Sequence, residues 1–379
     1  MSDRARPTEK DISLVFQPLQ EGGGFPGIEL SGWDGLQITR GIDTGANGFA
    51  FSMPWTPDRD MGGGYRMSDM FVPYRSDRVV AKLGGEPILD GFIEDHSFAF
   101  DAGSKTLEIQ GRSTTGRLVD SSAGGPDIGF EFAGGQSFTA VAQRVARGPL
   151  EWIRNNPNSE RGFVTIRANP DITVPPSEIS PGDTIYDFLS SLAAAQGLYA
   201  IPLVTERGFG YLQFTRLSST RRPVADLIED ESPLVRCRTK HDVTQRFYTH
   251  TVIDTEENNH ATSEDRGLPG WIRWRSIKEP RQSSADLSQA ARMLRSRSII
   301  DSYSVSATVT GWEHDDDVWN AGDIVRIHAP SVAIYSPSPL IIKRATLQFD
   351  ENGGRQTRLD LALPELYDNQ EVTTRPWLV

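Results

Sequence analysis

The sequence predicts a mainly β protein of α+β class. Two antiparallel β-barrel domains lie on either side of a small α+β domain, and the second barrel carries a helical insertion. Three observations lead there. Short stretches of alternating apolar and polar residues recur at close spacing through roughly the first 110 residues and again towards the C-terminus. Twenty-four prolines and 35 glycines in 379 residues supply turns and interrupt long helical periods. Helical spacing of apolar side chains is concentrated in a central stretch and in one later segment. The expected domains are residues 1–118 for the first barrel, 119–228 for the α+β domain and 229–379 for the second barrel, with the insertion at about 256–300.

In the first domain, 12–16 alternates as a strand, and 27–39 places Ile28, Leu30, Trp33, Leu36 and Ile38 in two more beyond the Gly22-Gly23-Gly24 turn. Phe49 and Phe51 share a face of the next strand, and Gly62-Gly63-Gly64 reads as a loop. Residues 72–83 and 86–93 form a hairpin across Gly84-Gly85, because a Gly-Gly pair supplies the positive φ angles of a tight turn. Strands at 98–100 and 107–110 flank a further turn at 101–104. The stretch 107–123 then passes from a strand through Gly111 and Gly116 into a new segment, which marks a domain seam.

In the central domain Phe138, Val141, Ala142 and Val145 fall on one helical face, with Ser137 as the cap. Trp152-Ile153 and 163–167 read as extended. Ile185, Phe188, Leu189, Leu192 and Ala193 form a second stripe, with Asp183 as N-cap and Gly197 as stop. Residues 198–204 and 211–216 pair across Glu206-Arg207-Gly208. Strands follow at 234–239 and 247–254, then an exposed polar loop at 256–270. An amphipathic helix at 283–297 places Leu287, Ala290, Ala291 and Leu294 on one face, with Ser283 and Asp286 in capping-box-like spacing. Strands at 303–311, 324–328, 340–349 and 357–363 complete the second barrel.

Composition excludes several functions. A net charge of −12 argues against a protein that grips nucleic acid along a broad basic face. The single cysteine, Cys237, rules out an intramolecular disulfide and a cysteine-rich zinc site, and reads as a small core residue in a chain assembled in a reducing cytoplasm. The N-terminus lacks a signal-peptide core, and no run of about 18 apolar residues follows.

No motif carries catalysis. The six histidines show no HExxH and no metal-binding helical pair, and read as surface or core-edge residues. The run from Glu313 to Asp317 lacks the glycine and the spaced ligands of a calcium loop, so it reads as a solvated face. Gly111-Arg112-Ser113-Thr114-Thr115-Gly116 has its second glycine one residue too far for a nucleophile elbow. Gly208-Phe209-Gly210 lacks a third glycine. The expectation is no enzyme, no cofactor and no metal. Arg292, Arg295 and Arg297, with Arg273 and Arg275 interleaved with Trp271 and Trp274, make a basic and aromatic region suited to contact with a partner. Arginine stems covering apolar surface give the same pattern. Arg112 and Asp120 are candidate anchors of the seam, pairing with each other or with nearby backbone. The interface candidates are therefore Arg112, Asp120, Trp271, Trp274, Arg292 and Arg295.

Several of these segments together resemble a family. Gly91-Phe92-Ile93, the run from Leu107 to Ser113 and the run from Leu118 to Ala123 are similar to the matching segments of Mu-like contractile-tail phage baseplate hub proteins, with Ser121 where that family often has cysteine. The segment from Phe138 to Ala142 and that from Pro181 to Leu189 fit two of its helices. The resemblance implies a structural hub with tube-type barrels: a homotrimeric ring whose two barrels per chain give pseudo-sixfold symmetry. Such a ring adapts the hexameric tail tube to the trimeric central spike and lines a channel that DNA crosses without specific binding. Its implied partners are further copies of itself, the spike, the tail tube protein and the wedge proteins. Its implied place is the virion's tail baseplate, after assembly in the host cytoplasm. Two rivals remain: a cell-wall carbohydrate-binding module, since Pro181-Gly182-Asp183-Thr184 is also LysM-like, and a tail-associated peptidoglycan hydrolase.

Overall fold

The computed structural model describes residues 11–17, 28–30, 32–61, 64–124, 129–146, 164–194, 196–254, 259–268, 273–278, 287–315, 317–350, 353–368 and 370–378. The chain divides into two compact units, each discontinuous in sequence. Unit 1 comprises residues 1–216, 311–321 and 344–357, and unit 2 comprises 217–310, 322–343 and 358–379. The strand Ile334–Asp350 therefore contributes its first part to unit 2 and its remainder to unit 1.

Unit 1 is built on an antiparallel sheet. The end of Ile334–Asp350 pairs with Gly35–Gly41, followed in order by Gly48–Pro54, Lys105–Ser113, Glu86–Phe100, Arg78–Leu83, Ile12–Gln17 and Ile28–Leu30. Period-two alternation puts one side of each strand into a common core: Ile12, Leu14, Phe16, Leu36, Ile38, Phe49, Phe51, Leu107 and Ile109 are all buried. Register aligns Leu347, Ile38, Phe49 and Gly111 in one cross-strand row. Phe16 meets Phe51 edge-on at 5.6 Å and Phe71 at 5.3 Å. The Gly84-Gly85 hairpin forms as expected, with φ of 58° and 93°. One expectation is corrected here: 98–100 is no separate strand but the end of the 15-residue strand Glu86–Phe100, which continues past an irregularity between Ile93 and Asp95.

A second core in unit 1 gathers Leu118, Phe132 and the helices Phe138–Ala146 and Ile185–Ala194 over a three-stranded sheet. Phe138, Val141, Ala142 and Val145 are buried as their spacing predicted, and the Ser137 hydroxyl accepts the Ala140 N–H at 3.2 Å. At the second helix the cap differs from expectation. Thr184 Oγ1 accepts the Asp187 N–H at 3.0 Å, whereas the Asp183 carboxylate turns back to the Ser180 N–H at 3.0 Å. Gly197 stops this helix at φ 69°, with the Leu198 N–H bonded to the Ala193 carbonyl at 2.9 Å. Tyr199–Val204 and Gly210–Thr215 form the expected hairpin, and Thr165–Asn169 adds a parallel strand to it. Trp152 and Ile153 lie outside the described residues.

In unit 2 one sheet runs through Leu234–His241, Tyr303–Thr310, Gly354–Ala362, Ile334–Asp350 and Ile324–Ala329, with Ala225–Ile228 parallel at its end. Thr249–Asp254 belongs to a separate three-stranded sheet, flanked by Asn259–Glu264 and Arg275–Lys278. The strand Asn259–Glu264 corrects the expected loop at 256–270. Its polar residues hide the period, yet Ser263 is buried and the Thr251 and Thr262 hydroxyls meet at 3.1 Å. The helix Leu287–Asp301 packs on this sheet. It runs past the predicted end at 297, and its deepest residues are Ala291, Ser296, Ser298, Ile299 and Ile300, while Leu287, Ala290 and Leu294 are half-buried. Ser283 and Asp286 lie outside the described residues.

Candidate functional site

The seam after Lys105–Ser113 builds the first candidate surface. Gly116 opens the short helix Gly116–Asp120, which brings Asp120 back beside Arg112. Arg112 grips Asp120 with two nitrogens, Nη2 to Oδ2 at 2.7 Å and Nη1 to Oδ1 at 3.2 Å, and donates through Nε to Glu94 at 2.7 Å. The hydrogen bond to Glu94, then that to Asp120, raises the guanidinium pKa. Its side chain is 36% exposed, so water screens the cluster.

Beneath this pair lies a polar joint that sequence reasoning did not single out. The buried Asn47 accepts the Gly41 N–H at 3.1 Å, donates through Nδ2 to the Pro202 carbonyl at 3.0 Å, and donates its own N–H to Ser113 Oγ at 2.9 Å. Nearby, Arg78 donates to Asp90 at 2.7 Å and to the Gly208 carbonyl at 2.7 Å, while Asp90 accepts the Gly210 N–H at 2.8 Å. These groups lock the β-sheet of unit 1 to its 199–215 hairpin. The signals in the sequence were faint: Asn47-Gly48 at a strand start, and Asp90 inside an apolar strand.

The remaining candidates belong to unit 2. Trp274 is 74% exposed, and its carbonyl accepts from Thr249 N–H at 3.0 Å and Oγ1 at 2.8 Å. Trp271 lies outside the described residues. Arg295 and Arg292 both reach the Glu371 carboxylate, at 2.7 and 3.4 Å, so they hold the C-terminal segment. That segment is also fixed at Glu365. Burial would push this carboxyl up, but hydrogen bonds from Thr374 and Thr373 hold it low.

Reactive chemistry is muted. Burial pushes the Cys237 thiol up to about 11, which keeps it protonated near neutrality. Burial lowers the pKa of His96, His241 and His250, and His250 is wholly buried rather than at the core edge. Among the described residues no group of three or more His, Cys, Asp or Glu could hold a metal ion. Glu313–His314 and Asp317–Val318 form a short hairpin. Among the described residues no helix is long and apolar enough to cross a membrane.

No protein-family profile matches the chain. It is 24% identical over 356 residues to the baseplate hub protein gp44 of Escherichia phage Mu, covering 88% of this chain and 85% of that protein. Among solved structures, the 43 kDa tail protein of prophage MuSo2 from Shewanella oneidensis aligns with a TM-score of 0.73 at 20% identity, covering 94% of this chain and 99% of the other. A tail protein from Neisseria meningitidis MC58 aligns at 0.70 and 17% identity, covering 95% and 98%. The resemblance to the Mu-like hub proteins thus holds along most of the sequence, and the fold is that of Mu-like prophage tail proteins.

Proposed function

We propose that this chain is the structural hub subunit of a contractile phage-tail baseplate. The observation that carries this reading is the length of the match: nine-tenths of the chain aligns with a baseplate hub protein over 85% of that protein's own sequence. Similarity of that extent concerns the whole architecture and not one borrowed domain.

In this reading three copies close into a ring. Each chain supplies two similar β-barrel domains, with the α+β domain between them and an insertion in the second, so that a trimer presents sixfold-like contacts to the tail tube and threefold ones to the spike. A closed ring needs head-to-tail contacts between unlike surfaces, which two barrels in one chain supply twice per subunit. The partners are further copies, the central spike, the tube and the wedge proteins. The net charge of −12 per copy suits a channel that DNA crosses without adhering. The chain acts in the virion baseplate without catalytic chemistry.

The LysM-like phrase has a conformational role that supports this reading over a cell-wall module. Gly182 adopts φ 101°, Asp183 closes a turn on Ser180, and Thr184 caps the helix Ile185–Ala194. Multi-angle light scattering of the purified chain, alone and with its spike protein, tests the proposal. A trimer is expected; a monomer at every concentration in both samples would overturn it. Turnover of peptidoglycan would instead establish the hydrolase.

A further inference from the structure

Unit 2 holds a concavity of about 940 Å3 that brings together Arg246, Arg266, Arg292, Arg295 and Arg375. Three carboxylates among the described residues line it as well, so cations are in excess there although the chain carries −12 overall. Among the described residues, acids answer only some of these arginines well. Arg246 grips the buried Asp265 at 2.5 and 3.1 Å, and Arg266 reaches Glu264 at 3.5 Å with most of its side chain in water. Glu371 is shared between Arg295 and Arg292. Arg375 is exposed and has no ion pair among the described residues. In the same wall Ser296 is 2% exposed, and its hydroxyl finds no hydrogen-bond partner among the described residues.

The position of Glu371 identifies the chemistry. Its side chain is 48% exposed, and its carboxylate lies between two arginines whose planar forks suit that group. The indole of Trp377 adds an apolar flank. We propose that this concavity docks a carboxylate-rich peptide segment of a partner protein. Arg292, Arg295 and Arg375 anchor it, and Glu371 is an internal competitor that fills part of the site. This inference does not depend on ring formation.

Isothermal titration calorimetry of the full chain with a hexaglutamate peptide tests it. Saturable binding is expected, weakened about tenfold by Arg375→Gln and tightened severalfold by Glu371→Gln. The tightening separates the proposal from a purely structural ion pair, whose loss does not raise affinity. Thermal melts verify that both variants fold; Arg375 is exposed and Glu371 half-exposed, so both should. Absence of binding to the wild type and to Glu371→Gln would overturn the proposal. So would inorganic phosphate or a thymidine oligonucleotide binding as tightly as the peptide. Oligomerisation of the chain that Arg375→Gln abolishes would assign the site to a second copy and overturn it too.

Discussion

Arg78 donates to Asp90 at 2.7 Å with side chains only 15% and 3% exposed, and the other Asp90 oxygen accepts the Gly210 N–H. Removing one member of a buried pair leaves an uncompensated charge, which costs about 3–5 kcal/mol. Asp90→Ala should destabilise by that amount in urea denaturation. Asp90→Asn, which keeps an acceptor for Gly210, should cost less.

Phe49 covers the backbone at Gly111, where a methyl group would come within 2.5 Å of the Phe49 ring and 2.1 Å of the Phe92 carbonyl. Gly111→Ala should lower stability by about 1–3 kcal/mol or more through overpacking. Part of the clash is with backbone, so shortening Phe49 should relieve only a fraction of it. A double-mutant cycle with Phe49→Leu measures that fraction.

Arg112→Ala removes the clamp on Asp120 and Glu94. Because the cluster is substantially exposed, the chain itself should lose no more than about 1 kcal/mol, and less at high salt. For the proposed trimeric assembly, dissociation followed by light scattering should show a larger effect, since a loosened seam lets the two parts of unit 1 that it joins shift. Unchanged melting together with unchanged assembly would contradict a role for the pair.

Stability should fall at both ends of the pH range. In the unfolded chain Cys237 ionises near 9, but in the folded chain only near 11, so its contribution is full below pH 9 and is lost as pH rises to 11. For His96, His241 and His250 the folded pKa lies below 6.5, so the unfolded state binds protons first as pH falls through 6.5, and stability drops. Denaturant melts at pH 5, 7 and 10.5 check both limbs. His250→Gln should flatten the acid one.

Trp274→Ala should leave the melting temperature nearly unchanged, because a side chain 74% exposed makes few internal contacts. If this face meets a partner, the same substitution weakens assembly. Sizing of the variant at matched concentration distinguishes the two.

The legible parts of this fold were those whose cause is local. Helical spacing found Phe138 to Val145, and a Gly-Gly pair found the hairpin at Gly84. Arg112 and Asp120 were recognisable as a pair because eight residues and one glycine turn separate them. Illegible parts depended on distant partners. Asn259–Glu264 has no apolar period because small polar residues suffice where a helix packs closely against it. Asn47 takes its meaning from Pro202, and Arg295 from Glu371, 76 positions away. The cap at Thr184 was missed because Asp183 is an equally good capping residue, and only the closing turn at Ser180 decides between them.

The order in which this chain leaves the ribosome bears on how it folds. The strand Gly35–Gly41 emerges early, yet its neighbour Arg344–Asp350 is made some 300 residues later. At ~5–20 residues per second, an open sheet edge stands exposed for on the order of tens of seconds. During translation the nascent chain must keep that edge from pairing with a second copy. Truncation before residue 344 should therefore yield aggregates and not a smaller soluble domain.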